Sequence, residues 1–194
     1  MSLTFNQFEI LTTIERTKVK LSQREIAKET NFSLGTVNKV IAELVNIEAI
    51  DSQNKITNIG LNLLEPYRVK RAIFLAAGFG SRLVPITLNT PKPLVLVNGK
   101  KIIETLLDAV VEAGIEEIVI VTGYLSDQFE ILTKKYPNIK FVKNDKYNES
   151  NNISSAYLVR NLLSNAYVLE SDLYLYNPKL IRKYEYQSNF LAKY

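Results

Sequence analysis

The sequence predicts an α/β protein of two domains, a helical one at residues 1–68 and a larger one at residues 69–194. Two patterns predict this fold. In the first segment, apolar residues recur at the spacing of short helices. In the second, apolar runs of strand length alternate with helical stretches, which is typical of a parallel sheet with helices on both faces. A chain of 194 residues with 46% apolar composition has room for two folded domains.

Three short helices are expected in the first segment. Apolar residues recur at helical spacing between Phe5 and Ile14. Ser22, followed three positions later by Glu25, is a capping-box pattern that opens a second helix at residues 22–29. Ser33 is the expected N-cap of a third helix, which has one apolar stripe.

A small hairpin and a last helix are expected next. Ile50 and Ile56 flank a polar stretch like the two strands of a wing, and a helix at residues 60–64 is closed by Pro66. The string LSQREIAKETNFSLGTVNKVIAELV, residues 21–45, resembles the winged helix-turn-helix domains of bacterial transcription regulators.

That resemblance implies a recognition helix whose polar side chains contact DNA. The residues suited to phosphate and base-edge contacts are Ser33, Thr36, Asn38 and Lys39. However, residues 1–68 contain eight basic and eight acidic side chains, and DNA binding normally requires a basic surface. A helix bundle used for dimerisation or regulation is the alternative interpretation.

The second segment predicts four parallel strands and the helices between them. The strands are expected at residues 71–75, 117–121, 139–142 and 167–170. The helices are expected at residues 102–113, 126–135 and 154–163, and a further helix opens at Asn177 and Pro178.

Composition limits the chemistry and the location. The chain has no cysteine and no histidine, which leaves carboxylates, lysine, arginine, hydroxyls, backbone amides and a hard cation. The net charge of +4 belongs to residues 69–194, with sixteen basic and twelve acidic side chains, so this segment is expected to bind anions. Because no run of about 18 apolar residues and no signal peptide is found, no membrane partner is expected and the cytoplasm is the expected location.

A glycine-containing loop follows the first predicted strand in the string LAAGFGSRLVPITLNTPKPLV, residues 75–95. Gly78 and Gly80 allow backbone amides to approach a phosphate chain at the mouth of a parallel sheet. Arg82 is a fork-shaped donor within reach of phosphate oxygens. Two glycines alone would indicate only a tight turn, whereas the PKPL segment at residues 91–94 makes the pattern much more specific.

The loop resembles the signature of the sugar-phosphate and choline-phosphate nucleotidyltransferases, in which AAGxGxR precedes PKxL. The resemblance implies nucleoside contacts from Ala76, Ala77 and Gly78, phosphate contacts from Gly80, Ser81 and Arg82, and a catalytic Lys92 between the α-phosphate and the acceptor phosphate. A phosphate acceptor is already an anion, so the reaction needs positioning and positive charge from Lys92 and Arg82 rather than a histidine base.

A carboxylate follows the fourth predicted strand. Asp172 lies where ligands of open α/β sheets bind, and it is a turn or cap residue or else a ligand of Mg²⁺. The family resemblance implies that an aspartate here is the main metal ligand. Glu170 is expected to be structural, with a supporting role at the metal left open.

Several polar residues are candidates for the base and ribose. Tyr124, which with Gly123 follows the second predicted strand, either stacks on a base or covers the end of the sheet. The stretch NDKYNESNNISSAYLV, residues 144–159, resembles phosphocholine cytidylyltransferases. Asn144, Asn151 and Asn152 are therefore candidates for nucleotide contacts, with Asn152 alternatively capping the helix expected near Ser154.

These resemblances imply a nucleotidyltransferase that uses Mg²⁺ to move CMP from CTP onto phosphocholine. The alternatives are transfer to a sugar 1-phosphate, or to another phosphate or phosphonate, and a DNA-binding regulator with a nucleotidyltransferase-like sensor domain. The family's second metal carboxylate and most acceptor contacts are expected beyond residue 194, so these 194 residues are expected to bind nucleotide weakly and to catalyse nothing measurable. An open sheet edge also makes a homodimer an expected assembly.

Overall fold

The structure is a computed structural model that describes residues 2–17, 20–148 and 152–189. The described residues form two compact units. The first combines the described residues up to Arg68 with residues 184–189, and the second comprises the described residues of Val69–Lys183. The predicted domain bounds of 1–68 and 69–194 stay a prediction.

The described part of the first unit has four α-helices: α1 (Phe5–Arg16), α2 (Gln23–Thr30), α3 (Leu34–Asn46) and α4 (Asn58–Leu64). The capping box at α2 is confirmed, because the Ser22 hydroxyl accepts from the backbone N–H of Glu25 and the Glu25 carboxylate accepts from the backbone N–H of Ser22. The predicted cap of α3 is also confirmed, with the Ser33 hydroxyl accepting from the backbone N–H of Thr36.

The wing is smaller than the sequence predicts. Ile50 and Ile56 form a single antiparallel bridge rather than two strands. The turn between them is organised by Asp51, whose carboxylate accepts hydrogen bonds from the backbone N–H groups of Gln53 and Lys55. The Lys55 hydrogen bond lowers the pKa of Asp51. The polar turn therefore occupies nearly the whole segment, and little is left for paired strands.

Residues 184–189 belong to the first unit because their aromatic side chains complete its core. Tyr184 is buried in the same cluster as Phe8, and the ring of Tyr186 stacks on Tyr67 with centroids 5.6 Å apart. The Tyr186 hydroxyl donates to the backbone oxygen of Leu3 at 3.2 Å. The sequence did not predict that a segment so late in the chain packs among α1 and the residues after α4.

Four parallel strands form the central sheet of the second unit: β1 (Arg71–Ala76), β4 (Glu117–Thr122), β5 (Ile139–Lys143) and β6 (Ala166–Glu170). Their order is β5-β4-β1-β6, so β5 and β6 are the edge strands. A short antiparallel ribbon that the sequence did not predict joins β2 (Leu96–Val97) to β3 (Lys100–Lys101). All four carboxyl ends meet at one edge of the sheet, which is where the predicted site residues follow the strands.

Helices cover both faces of this sheet, as predicted. On one face, α5 (Ile102–Glu112) packs against Phe74 and Ile120. On the other, Val159, just after α6 (Asn152–Leu158), packs against Ile73 and Val119. Among the residues that the structure describes, no helix has the length and apolar character that crossing a membrane requires.

The helix predicted at residues 126–135 is a 3₁₀ helix at Ser126–Lys134, and its buried residues Phe129 and Leu132 are three positions apart, the period of a 3₁₀ helix. One other helix prediction needs correction. The helix predicted at residues 154–163 begins earlier, at Asn152, and ends at Leu158, with a 3₁₀ turn at Arg160–Leu162. Asn152 therefore lies in α6 itself and does not cap a helix that begins near Ser154.

Candidate active site

The loop after β1 depends on a glycine at position 80. Gly80 has φ +70°, and a Cβ atom there would lie 3.1 Å from the Cβ of Lys92 and 3.2 Å from the Cγ2 of Thr87. The Thr87 hydroxyl donates to the backbone oxygen of Gly80 at 3.0 Å. Gly80 therefore combines a left-handed conformation with a close approach that larger residues cannot make. Gly78 has open space where its side chain would be, so the backbone beside it is accessible to a ligand.

The PKPL segment holds Lys92 at the cleft. Lys92–Leu94 forms a 3₁₀ turn in which Pro93 and Leu94 are buried, and this anchors the backbone beneath the lysine. The Lys92 side chain is 28% exposed. Its ammonium group lies 2.5 Å from the Oδ2 atom of Asp172, which is 80 positions away in the sequence. The predicted phosphate lysine and the predicted metal ligand are therefore in direct contact.

Asp172 is positioned by the residue before it. Ser171 is buried, and its hydroxyl donates to the backbone oxygen of Leu75 at 2.7 Å. This bond ties the end of β6 to the end of β1, so that Asp172 projects beside the glycine loop. The sequence patterns did not indicate Ser171. Its position directly before Asp172 is the one signal that could have identified it.

Most of the residues predicted to form the nucleotide and metal site line one cleft of about 350 Å³. Those that line it are Ala76, Gly78, Gly80, Ser81, Arg82, Lys92 and Asp172. They are joined by Asn152 and Glu170, for which the sequence left the role open, and by Leu75, Pro93 and Ser171, which it did not single out. Ala77, Tyr124 and Asn144 are not among the lining residues, and Asn151 lies outside the described residues.

The charges of the cleft suit a triphosphate and a hard cation. Arg82 and Lys92 can donate to phosphate oxygens, and Asp172 and Glu170 present carboxylates. Within the described residues, no group of three or more acidic, histidine or cysteine side chains is placed to hold a metal. Mg²⁺ in phosphate-transfer sites uses one or two carboxylates together with substrate phosphates. The donor set present therefore fits magnesium that arrives with a nucleotide.

Residues 71–189 match the family of nucleotidyl transferases. The chain belongs to this family. Residues 6–50 match the winged helix-turn-helix DNA-binding family.

Similar proteins support this assignment. The choline-phosphate cytidylyltransferase of Streptococcus pneumoniae is 50% identical over 106 residues, which are 55% of this chain and 46% of that relative. The 2-aminoethylphosphonate cytidylyltransferase of Lancefieldella rimae is 47% identical over 104 residues, which are 53% of this chain and 42% of that relative. The chain thus spans less than half the length of these curated relatives.

A solved structure of the CTP:phosphocholine cytidylyltransferase from Streptococcus pneumoniae shares the fold. Its TM-score is 0.57 at 49% sequence identity, and the match covers 60% of this chain and 50% of that chain. The predicted fold class, a winged helix-turn-helix followed by a Rossmann-like nucleotidyltransferase domain, is therefore confirmed.

Tyr124 covers the end of the sheet. Its backbone N–H donates to the backbone oxygen of Ala77 at 3.1 Å, and its hydroxyl donates to the backbone oxygen of Leu88 at 2.9 Å. Phe79 contacts its ring edge-on, with centroids 4.6 Å apart. Ala77 and Tyr124 thus join the loops after β1 and β4. The predicted contacts of both residues with a nucleoside stay predictions.

Asn144 is a buried link between the sheet edge and α6. Its side-chain amide donates to the hydroxyls of Ser154 at 3.0 Å and Ser155 at 3.1 Å, and its oxygen accepts from the backbone N–H of Lys146 at 3.0 Å. The predicted contact of Asn144 with nucleotide stays a prediction.

Helix α3 and its cap expose part of the set of residues predicted to contact DNA, a contact that stays a prediction. Asn38 and Lys39 are exposed on α3. Ser33 is exposed as well, but its hydroxyl is hydrogen-bonded to Thr36 at 2.9 Å while it caps the helix. Asn38 and Lys39 are therefore the residues of this set that can contact DNA without disturbing the cap.

Proposed function

We propose that this chain contains the nucleotide-binding part of a cytidylyltransferase, which moves CMP from CTP onto a phosphorylated small molecule and releases pyrophosphate. The observation that carries this proposal is the convergence of Arg82, Lys92 and Asp172 with an open glycine loop in one cleft. The cleft lies at the carboxyl edge of a parallel sheet, where ligands of open α/β sheets bind.

The residues of the cleft suit a reaction between two anions. Backbone amides of the loop around Gly78 and Gly80, together with Arg82, hold the phosphates. An oxygen of the acceptor phosphate forms a bond to the α-phosphorus, while the bond between that phosphorus and the bridging oxygen of the β-phosphate breaks. The acceptor oxygen is already ionised, so no base is needed. Lys92 neutralises charge on the α-phosphate and the acceptor, and a donor of this kind commonly contributes about 3 kcal/mol to the transition state.

Asp172 would hold Mg²⁺, with Glu170 beside it in the cleft. The bound ion would neutralise the triphosphate and stabilise the departing pyrophosphate. Asp172 pairs with Lys92, so the lysine must release this carboxylate before it can bind a phosphate.

Cytidine is the proposed base and phosphocholine the proposed acceptor. Both are what the name of the Streptococcus pneumoniae relative states for that protein. The Lancefieldella rimae relative, named for 2-aminoethylphosphonate, supports a phosphonate acceptor as the alternative. A sugar 1-phosphate is a further alternative acceptor, which the resemblance to the sugar-phosphate nucleotidyltransferases implies.

A panel experiment on the full-length protein tests base and acceptor together. Pyrophosphate release is measured with CTP, UTP, ATP or GTP, each with phosphocholine, 2-aminoethylphosphonate or glucose 1-phosphate. The proposal predicts release with CTP and phosphocholine well above every other pair. Pyrophosphate release with CTP and 2-aminoethylphosphonate, but not with CTP and phosphocholine, would make the phosphonate the acceptor. Release with none of the twelve pairs would contradict the proposed transfer.

A second candidate function is DNA binding by the first unit, supported by its family match and by exposed Asn38 and Lys39 on α3. Equal numbers of acidic and basic residues in 1–68 lead us to expect only weak binding to random duplex DNA at physiological salt. Fluorescence anisotropy across a range of salt concentrations tests this expectation. Micromolar or tighter binding that falls steeply with salt would contradict it and favour a DNA-binding regulator.

Self-association is a further proposal, because β5 and β6 lie at the two edges of the sheet that the structure describes, and an edge strand is where a second chain can add a strand. Val168 on β6 is about half exposed, so this edge has an apolar side chain to bury. Light scattering across a concentration series is expected to give a mass above that of one chain. A constant monomer mass would contradict the proposal.

A further inference from the structure

Asn144 uses nearly all of its hydrogen-bonding capacity within the protein. Both N–H bonds of its side-chain amide donate to serine hydroxyls, at 3.0 Å to Ser154 and 3.1 Å to Ser155. Its side-chain oxygen accepts from Lys146, and its backbone N–H donates to the backbone oxygen of Thr122 at 2.7 Å. The residue is only 3% exposed. A direct contact with nucleotide would require some of these bonds to break.

The bonds of Asn144 join two strand ends to one helix. Thr122 is the last residue of β4, and Asn144 directly follows β5. Ser154 and Ser155 lie in the first half of α6, and Ser155 is buried as well. The side chain of Asn144 therefore fixes the start of α6 against the carboxyl edge of the sheet.

The start of α6 also lines the cleft that is assigned to nucleotide. Asn152 is its first residue and lines the cleft together with Gly78, Gly80 and Arg82. Residues 149–151, which connect Asn144 to α6 along the chain, lie outside the described residues. The hydrogen bonds of Asn144 to Ser154 and Ser155 therefore join the part of α6 nearest the cleft to the sheet edge.

We propose that Asn144 is a positioning residue, which sets the place of α6 so that Asn152 contacts the bound nucleotide. This inference rests on the proposed function. It differs from the sequence-based expectation, in which Asn144 contacts the nucleotide itself. If Asn144 contacts the base, the affinity lost on its substitution should differ between bases. If it positions α6, the affinity lost should instead depend on whether Asn152 is present.

A double-mutant cycle on nucleotide affinity distinguishes these roles. Titration calorimetry with CTP and with UTP is applied to the parent chain, Asn144→Ala, Asn152→Ala and the double variant. We expect Asn144→Ala to weaken the binding of CTP and of UTP by about the same factor, on the order of tenfold. In the Asn152→Ala background, the further loss from Asn144→Ala is expected to fall to about threefold or less. Asn161→Ala, at an exposed asparagine, is the matched control and is expected to bind like the parent.

Hydrogen exchange gives a second measurement that does not depend on nucleotide. Amides of α6 are expected to exchange faster in Asn144→Ala, while amides of β4 keep their protection. Ser155→Ala removes an acceptor from the helix side and is expected to give the same two results, so the test does not depend on one variant folding well.

Three outcomes would overturn the inference: a loss for CTP without a loss for UTP, an equal loss in the Asn152→Ala background, or unchanged exchange in α6. A parent chain that binds neither nucleotide would instead contradict the proposed function. The exchange of α6 would then still decide whether Asn144 positions the helix.

Discussion

The ammonium group of Lys92 lies 2.5 Å from the Oδ2 atom of Asp172, so the lysine assigned to phosphate and the carboxylate assigned to the metal neutralise each other. Both side chains are partly exposed, at 28% and 36%, so the pair can open without unfolding its surroundings. The nucleotide phosphates would bind Lys92 and magnesium would bind Asp172, so each ligand would separate the pair. Binding of the two ligands is therefore expected to be cooperative.

Asp172→Asn tests the role of this pair. In the absence of divalent cations, the variant is expected to bind CTP several-fold more tightly than the parent, on the order of threefold, because Lys92 is no longer neutralised. Added Mg²⁺ is expected to tighten binding in the parent and to have little effect in the variant. Calorimetric titrations with and without Mg²⁺ measure both effects, and equal affinities of parent and variant under both conditions would contradict the account.

Lys92→Ala is expected to reduce pyrophosphate release by at least about a hundredfold in the full-length protein. The fold should remain intact, because the buried Pro93 and Leu94, rather than the lysine, anchor the segment. Lys134→Ala, at an exposed lysine away from the cleft, is the control and is expected to leave the rate unchanged. An unchanged rate for Lys92→Ala, with circular dichroism matching the parent, would remove Lys92 from the reaction.

Gly123→Ala is expected to destabilise the second unit by about 1 to 3 kcal/mol. The added Cβ atom would lie 2.6 Å from the Cβ of Tyr147 and 2.8 Å from the backbone oxygen of Ala77, and a backbone atom cannot easily move away. Gly78→Ala meets no atom within 4 Å and is the stability control. Thermal unfolding of both variants gives the comparison, and equal stabilities would show that the loop after β4 is less tightly packed than described.

Tyr186→Ala is expected to destabilise the first unit by about 2 to 3 kcal/mol. The substitution removes a ring stacked on Tyr67 and packed against Phe8, together with the hydrogen bond to Leu3. Tyr176→Ala, at a tyrosine that is 87% exposed, is the control. Native-state hydrogen exchange in α1 reports the effect within the first unit, and full protection of α1 in Tyr186→Ala would mean that residues 184–189 are not part of its core.

Asp108→Asn is expected to reduce the stability of the fold by an amount that depends on pH. Burial tends to raise the pKa of Asp108, but hydrogen bonds from Lys100, Lys135 and Tyr136 outweigh it and lower the pKa to about 2. A pKa lowered by folding contributes stability that is complete above the ordinary pKa of about 4 and is lost as the pH falls through about 2. The carboxylate is about one-third exposed, so solvent screening reduces the expected loss at pH 7 to about 1 kcal/mol.

Urea unfolding at a series of pH values measures this effect. The difference between parent and Asp108→Asn is expected to be constant from pH 7 to about pH 5 and to shrink as the pH falls from about 4 towards 2. Asp145→Asn, at an exposed carboxylate, is the control. A difference that grows as the pH falls would have the wrong sign for this account.

Local sequence patterns predicted much of this fold. Apolar runs of strand length predicted β1, β4, β5 and β6 to within one residue at each end. The serine caps predicted the starts of α2 and α3. These features depend on neighbours a few positions apart, which the sequence displays directly.

Contacts between distant positions could not be predicted in the same way. Neither the pair of Lys92 and Asp172, 80 positions apart, nor the packing of Tyr186 on Phe8 follows from local spacing. For Asn144, the sequence indicated the right region but not the partners, because the hydroxyls of Ser154 and Ser155 come close only when α6 packs on the sheet. The motif thus predicted several of the residues that line the cleft, and the tertiary fold determined what each of them contacts.

The affinity of the cleft for CTP tests the central claim most directly. Titration calorimetry with CTP and Mg²⁺, at nucleotide concentrations high enough to record weak binding, is applied to the parent chain and to Arg82→Ala. The account predicts a single site in the parent and a loss of about tenfold or more in the variant, because Arg82 lines the cleft as a phosphate donor. The absence of binding heat in the folded parent chain, or equal affinities of parent and variant, would contradict it.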